Sequence, residues 1–327
     1  MLSRSPSPLL FLFLLLLGSA LGCWRLQPRS PAREPVTLDP GVLSALRPRH
    51  PAWGLEFEWV ETTAYCTHFV FRFQTYSDSE GDFKSVVGDY YATRTTGGRP
   101  APLLLVSPIL AGPVDDYLAS RLFSWQATKH GMSTFFLQQE KVILAPDRDG
   151  LNLEAWVREN ARDNIKALDL IAGLPEVDGS RLGSFGVSLG AIKNVVLVAM
   201  ERRLRANVMV LAGADLPRIL ETSQEELVAR YLRGRFERDG LHPAEVSAEL
   251  RRWFFSEPAN LAKGIATDRV ILFLGRLDNK VPYESGMFLR RELGEPLTHV
   301  FLLGHYTAVL GAPWTASKAL GWLRERL

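Results

Sequence analysis

The run Gly183-Ser184-Phe185-Gly186-Val187-Ser188-Leu189-Gly190-Ala191 constrains this chain more than any other. It has the form G-x-S-x-G. It lies between an apolar strand-like stretch, Arg181–Phe185, and an apolar helix-like stretch, Ala191–Leu204. A strand that turns directly into a helix needs glycines there, because side chains would block the helix from approaching the strand. The serine is then held at the tip of the turn with its hydroxyl exposed. The first amides of the following helix point at the same spot and favour developing negative charge. Such a hydroxyl can become a nucleophile if a base and an acid are brought to it.

The rest of the chain alternates in the same way. Ala101–Val106, Met132–Leu137, Val208–Leu211, Val270–Leu274 and His299–Leu303 read as strands. Asp115–Lys129, Leu153–Ala172, Ser285–Leu293 and Ala316–Glu325 read as helices between or after them. In Leu153–Ala172, Trp156, Val157, Ile165, Leu168 and Ile171 recur at roughly helical spacing, and Gly173 and Pro175 mark the end. This order specifies an α/β fold with a mostly parallel central sheet covered by helices on both faces. Leu55–Val60, Phe69–Phe73 and Asp89–Thr95 also read as strands but have no helices between them, which predicts an antiparallel N-terminal edge.

The alternation breaks at about residues 216–266. Leu227, Val228, Tyr231, Leu232 and Phe236 fall on one amphipathic helix; Val246, Leu250, Trp253 and Phe254 fall on another. An insertion at this point is expected to form a helical cap over the C-terminal edge of the sheet, where open α/β sheets bind ligands. Its aromatic side chains hint at an apolar acyl or alcohol group, or they pack on the sheet.

A serine nucleophile needs a base to take its proton and an acid to orient that base. Asp278, in Gly275-Arg276-Leu277-Asp278-Asn279-Lys280-Val281-Pro282, follows one strand, and His305, in Leu303-Gly304-His305-Tyr306, follows the next. Asp215 also follows a strand and is the alternative acid. His299 and His68 lie in or beside strands and read as structural. His50 lies in a proline-rich stretch and His130 at a helix end. Ser107 and Ser184 do not sit at the tip of the turn, and Arg276 and Lys280 read as solvated.

From about Leu55 to Leu327, the ordered set Ser188, Asp278, His305 resembles the α/β-hydrolase superfamily, in its esterase, dienelactone-hydrolase and prolyl-oligopeptidase-like branches. The resemblance implies that Ser188 attacks a carbonyl, His305 moves the proton, and Asp278 fixes the imidazole. It implies an oxyanion hole made of the Leu189 amide and one from the loop Ser107-Pro108-Ile109-Leu110-Ala111-Gly112. The family often begins this loop with His-Gly. Here Pro108 has no amide to give, which makes Ile109 the choice and Leu110 the reserve. The family resemblance points to a carboxylic-ester hydrolase working through an acyl-enzyme on a small-molecule or acyl substrate. A peptidase, a thioesterase or a catalytically silent binding protein would share the fold. No cofactor or metal is implied.

The N-terminus reads as a targeting segment over residues 1–23. Arg4 precedes an unbroken Leu/Phe run, Leu9–Leu17, within the length of a signal-peptide core. Gly18-Ser19-Ala20 resembles a secretory cleavage site. Ala20-Leu21-Gly22-Cys23 resembles a lipoprotein box, with lipid on Cys23 and Ala20 standing where Leu is usual. An uncut anchor is the third option. Export is expected, either as a periplasmic or membrane-anchored lipoprotein or as a secreted protein. Cys66 is the only other cysteine, so a Cys23–Cys66 disulfide is open if Cys23 carries no lipid. Residues 24–53 hold Pro28, Pro31, Pro35, Pro40, Pro48 and Pro51 and read as a tether outside the hydrolase domain of residues 54–327, with one turn of helix near Val42–Leu46. With 38 basic and 36 acidic residues, a net charge of +2 and no charged block, the chain offers no electrostatic footprint for nucleic acid or for a membrane surface.

Overall fold

The computed structural model describes residues 22–79, 81–109, 117–138, 144–145 and 147–327. Residues 1–21 of the leader expected over 1–23, and Leu110–Gly112 of the oxyanion loop, lie outside the described residues. Among the described residues ten strands form one sheet: β1 Trp24–Leu26, β2 Trp53–Thr62, β3 Cys66–Tyr76, β4 Phe83–Thr93, β5 Ala101–Ser107, β6 Ser133–Leu137, β7 Val177–Val187, β8 Leu204–Val210, β9 Val270–Gly275 and β10 Leu297–Phe301. Their order across the sheet is β1-β10-β9-β8-β7-β5-β6-β4-β3-β2. The pairs from β10 to β6 are parallel. β4, β3 and β2 continue the sheet antiparallel, as expected for strands joined without helices.

The two faces of the sheet carry separate cores. Along β5, Leu103 and Leu105 belong to one apolar cluster and Leu104 and Val106 to the other, because successive strand side chains point to opposite faces. Helices α2 (Leu118–Lys129) and α10 (Ala312–Arg324) cover one face with Phe123, Ala127, Leu320 and Leu323. Helices α3 (Gly150–Ala172), α4 (Leu189–Met200) and α9 (Tyr283–Glu292) cover the other with Leu168, Ile171, Val195, Val196 and Leu289. The strands are apolar on both faces because both faces are buried.

Residues 24–53 correct the expectation of a tether. β1 pairs antiparallel with β10, Trp24 opposite Val300. Helix α1 (Pro40–Leu46) is capped by Asp39, whose carboxylate accepts from the Gly41 and Val42 amides. Leu46 is fully buried, and the Arg162 guanidinium donates to the Ala45 and Leu46 carbonyls. The Leu38 side chain fills the space a Cβ on Gly264 would need. Its prolines keep the regular elements here short, but they do not prevent packing: side chains and isolated hydrogen bonds satisfy much of the backbone between them.

The cap follows β8. The inserted segment comprises α5 (Leu216–Thr222), α6 (Glu226–Asp239), α7 (Pro243–Trp253) and α8 (Pro258–Ala262), where the sequence suggested two helices; α8 packs into the core of the body through Ala259, Leu261 and Ala262. Tyr231, Val246, Leu250 and Phe254 pack with Leu153 of α3 in a core of their own. The Tyr231 hydroxyl donates to the Arg148 carbonyl at 2.9 Å. Glu154 of α3, buried, accepts from the Ser256 amide at 3.0 Å and hydroxyl at 2.8 Å. Burial pushes the Glu154 carboxyl above its ordinary range. The cap is therefore tied to the body by polar contacts as well as apolar ones.

Candidate active site

Ser188 stands between β7 and α4 with φ 54° and ψ −126°, a conformation L-residues rarely adopt. The surrounding contacts enforce it. The Ser188 amide donates to the Val210 carbonyl at 2.8 Å, and the Ser188 carbonyl accepts from the Ile192 amide at 3.0 Å. A Cβ on Gly186 would lie 2.6 Å from the Gly190 carbonyl oxygen, and one on Gly190 would lie 2.7 Å from that of Pro108. Both glycines are required by close backbone approach.

The structure brings Ser188, His305 and Asp278 together. His305 Nε2 lies 2.9 Å from Ser188 Oγ. His305 Nδ1 lies 2.8 Å from Asp278 Oδ2. A carboxylate only accepts, so Nδ1 carries the hydrogen and Nε2 presents its lone pair to the serine hydroxyl. Asp278 is fixed through its other oxygen, which accepts from the Lys280 amide at 2.9 Å and the Val281 amide at 3.0 Å. The loops of Asp278 and His305 run side by side: the Leu277 amide donates to the Leu303 carbonyl at 3.1 Å. Asp278 is buried, its side chain 2% exposed, and that of His305 is 11% exposed.

Asp215 is not brought to the histidine. It caps α5, accepting from the Arg218 amide, and pairs with Arg251 at 3.0 Å. The other histidines are elsewhere. His299 stacks on Phe273 and meets Trp314 edge-on, and burial pulls it down to about 4. His68 bonds Asp89 at 2.8 Å and stacks on Tyr91. His50 meets Tyr76, and His130 caps the C-terminus of α2. Arg276 lies over the Tyr283 ring.

A cavity of about 710 Å³ opens at Ser188. Leu189 and Ile109 line it beside the serine. Phe185, stacked on Phe123 at 3.4 Å, and Trp156 line the body side; Ile219, Leu220 and Val228 line the cap side. Of the cap aromatics, Phe254 reaches the cavity. Tyr231 is buried, and Phe236 and Trp253 face outward at 49% and 38% exposure. Helical spacing alone could not separate these faces.

Two features escaped sequence reading. The Tyr306 hydroxyl, next to His305, donates to Glu225 at the start of α6 and so joins the histidine loop to the cap. Burial and Glu225 push the Tyr306 phenol up to about 12. On α4, burial pulls the Lys193 amine down to about 7, with Nζ 5.5 Å from the ring of Trp156. A lysine inside the apolar run Ala191–Met200 was the available signal.

No protein-family model matches the sequence, and no curated protein matches it. Solved structures do. An acetyl xylan esterase from a Paenibacillus species superposes with a TM-score of 0.62 at 17% identity, over 88% of this chain and 92% of its own. Acetyl xylan esterase 1 from a Thermoanaerobacterium species gives 0.59 at 17% identity, over 88% and 95%. An S-formylglutathione hydrolase from Agrobacterium tumefaciens gives 0.56 at 12% identity, over 83% and 98%. At these identities the likeness is one of fold.

Proposed function

We propose that this chain, which has the α/β-hydrolase fold, is an exported serine hydrolase that cleaves a carboxylic ester through an acyl-enzyme on Ser188. The observation that carries this reading is the continuous hydrogen-bonded line from Ser188 Oγ through His305 to Asp278. Ser188 Oγ attacks the ester carbonyl carbon while His305 Nε2 takes its proton. The oxyanion that forms is met by the amides of Leu189 and Ile109, each such donor worth roughly 3–4 kcal/mol of barrier. The carbonyl re-forms, the alcohol leaves, and His305 returns the proton to it. Water, deprotonated by the same imidazole, then releases the acid and restores Ser188. Asp278 holds the tautomer and stabilises the imidazolium throughout.

The apolar cavity supports an acyl or alcohol group larger than acetyl, because burying each methylene there is worth roughly 0.8 kcal/mol. A thioester is the second reading, favoured by the shared fold with an S-formylglutathione hydrolase. A silent binding protein is the third, motivated by Pro108 in the oxyanion loop. The Leu9–Leu17 run and the exposed Cys23 support export with membrane attachment. Cys23 and Cys66 are both free thiols, exposed and buried respectively.

A fluorophosphonate probe tests the chemistry. Labelling that maps to Ser188, with turnover of p-nitrophenyl esters that Ser188→Ala removes, is the expected result. A chain that neither labels nor turns over a broad ester and thioester panel is not a hydrolase. Membrane fractionation of wild type and Cys23→Ser tests the attachment: loss of retention in the variant is expected for a lipid on Cys23.

A further inference from the structure

We propose that the surface formed by Leu302, Tyr306, Val309 and Leu310 docks on a lipid bilayer, so that the active-site cavity opens onto the membrane. This builds on the export reading above and does not depend on the ester chemistry.

Chain direction is the first ground. β1 runs antiparallel to β10, so the residues before Trp24 lie beside the residues after Val300. That is the C-terminal edge of the parallel strands, where His305 stands. A Cβ on Gly22 would lie 3.5 Å from the Cβ of Leu302, and Cys23 is exposed. The apolar run Leu9–Leu17 precedes this point. A retained leader and a lipid on Cys23 would both reach the fold at this one edge.

The surface there is the second ground. Val309, Tyr306, Leu310 and Leu302 are 70%, 63%, 61% and 48% exposed, and Leu277 in the adjoining loop is also exposed. Clustered exposed apolar side chains mark an interaction surface. Tyr306 and Val309 also line the cavity, so this surface and the mouth are continuous. Leu122 of α2, itself exposed, lines the cavity as well.

The occupant follows from these two facts. An attachment point beside Leu302 brings this face to the bilayer it is attached to, ahead of any other partner. Among the described residues no helix is long and apolar enough to cross a membrane. The contact proposed for this face is peripheral, with its side chains entering the headgroup boundary by about 5–10 Å. The gain is apolar burial and needs no basic patch, in keeping with the near-neutral net charge.

The test places one added tryptophan on each edge of the full-length protein, bound to phosphatidylethanolamine–phosphatidylglycerol vesicles that carry a shallow nitroxide lipid. Leu310→Trp reports the proposed face. Val36→Trp reports the opposite edge, where the Val36 amide bonds Lys263 ahead of β9. Both positions are exposed, so neither change loads the fold. The expected result is about two-fold or greater quenching of the fluorescence added at 310 and none of that added at 36. Equal quenching at both, quenching at 36 alone, quenching at neither, or a protein that does not stay with the vesicles overturns the proposal. Quenching needs no turnover, so its failure is distinct from failure of Ser188 to label.

Discussion

Gly190 and the Ser107 carbonyl share a space that admits no side chain: a Cβ on Gly190 would fall on that oxygen and on its neighbour at Pro108. This contact seats the start of α4 against the end of β5, and so seats Ser188 against the loop of Ile109. Backbone cannot swing aside as a flexible side chain can. Gly190→Ala is expected to cost about 2–3 kcal/mol by overpacking and to lower ester turnover with it. Thermal melting and p-nitrophenyl ester assays check both; an unchanged melt would mean that the helix shifts freely.

Ser188 pays in backbone conformation for its place at the turn. Ser188→Gly relieves a positive φ that costs on the order of 1–3 kcal/mol, against roughly 0.5–1 kcal/mol of added chain entropy in glycine. The variant is expected to melt higher than wild type while its turnover falls about 10,000-fold or more. A lower melting point would contradict the strain.

The two candidate acids separate cleanly by substitution. Asp278→Asn leaves the loop intact but supports the wrong imidazole tautomer, at a cost of about 10,000-fold in kcat. Asp215→Asn keeps a side chain that caps a helix and tolerates φ 65°, so its kcat is expected to stay within about three-fold of wild type. The reverse pattern would reassign the acid.

The cavity sets chain length. Leu220 lines its cap side and packs against the core of Tyr231, Val246 and Leu250. Leu220→Trp is expected to lower kcat/KM about ten-fold or more for the longest acyl esters accepted, and less than about two-fold for acetyl esters. An acyl-chain series from two carbons upward reads this directly. A uniform fall across the series would indicate damage to the catalytic groups instead.

Acid acts on stability through His299. Stability falls because His299, held down to about 4 by burial from an ordinary 6.5, binds fewer protons folded than unfolded between those values. Its contribution is present above 6.5 and is lost as pH falls toward 4. His299→Phe, placed between Phe273 and Trp314, is expected to flatten the melting curve across that window, measured by thermal scans at half-unit steps. An unchanged slope would show that other groups carry the acid sensitivity.

Much of this site was legible because its constraints are local. Gly186 and Gly190 mark the turn by spacing alone, and Asp278 and His305 each sit directly after an apolar strand. The sheet was legible because Leu103–Val106 and Ile271–Leu274 leave no polar face. What escaped depends on contacts between distant residues. Trp24–Leu26 is too short to show a period, and its strand exists only because β10 offers an edge. Leu46 looks like one apolar residue among prolines until Arg162 claims the carbonyls beside it. Phe236, Trp253 and Phe254 are equally apolar in sequence, and only the packing of α6 and α7 decides that Phe254 alone faces the cavity. Tyr306 could not have been paired with Glu225 from spacing, because 81 positions separate them.

Strand β1 begins at Trp24, one residue beyond Cys23. The thirty residues that read as a leash are packed onto the body of the protein instead. A molecule held at Cys23 could not sweep the surrounding volume in search of its reactant. It would work at arm's length from nothing, taking only what moves within the lipid layer beneath it or drifts against that layer's surface.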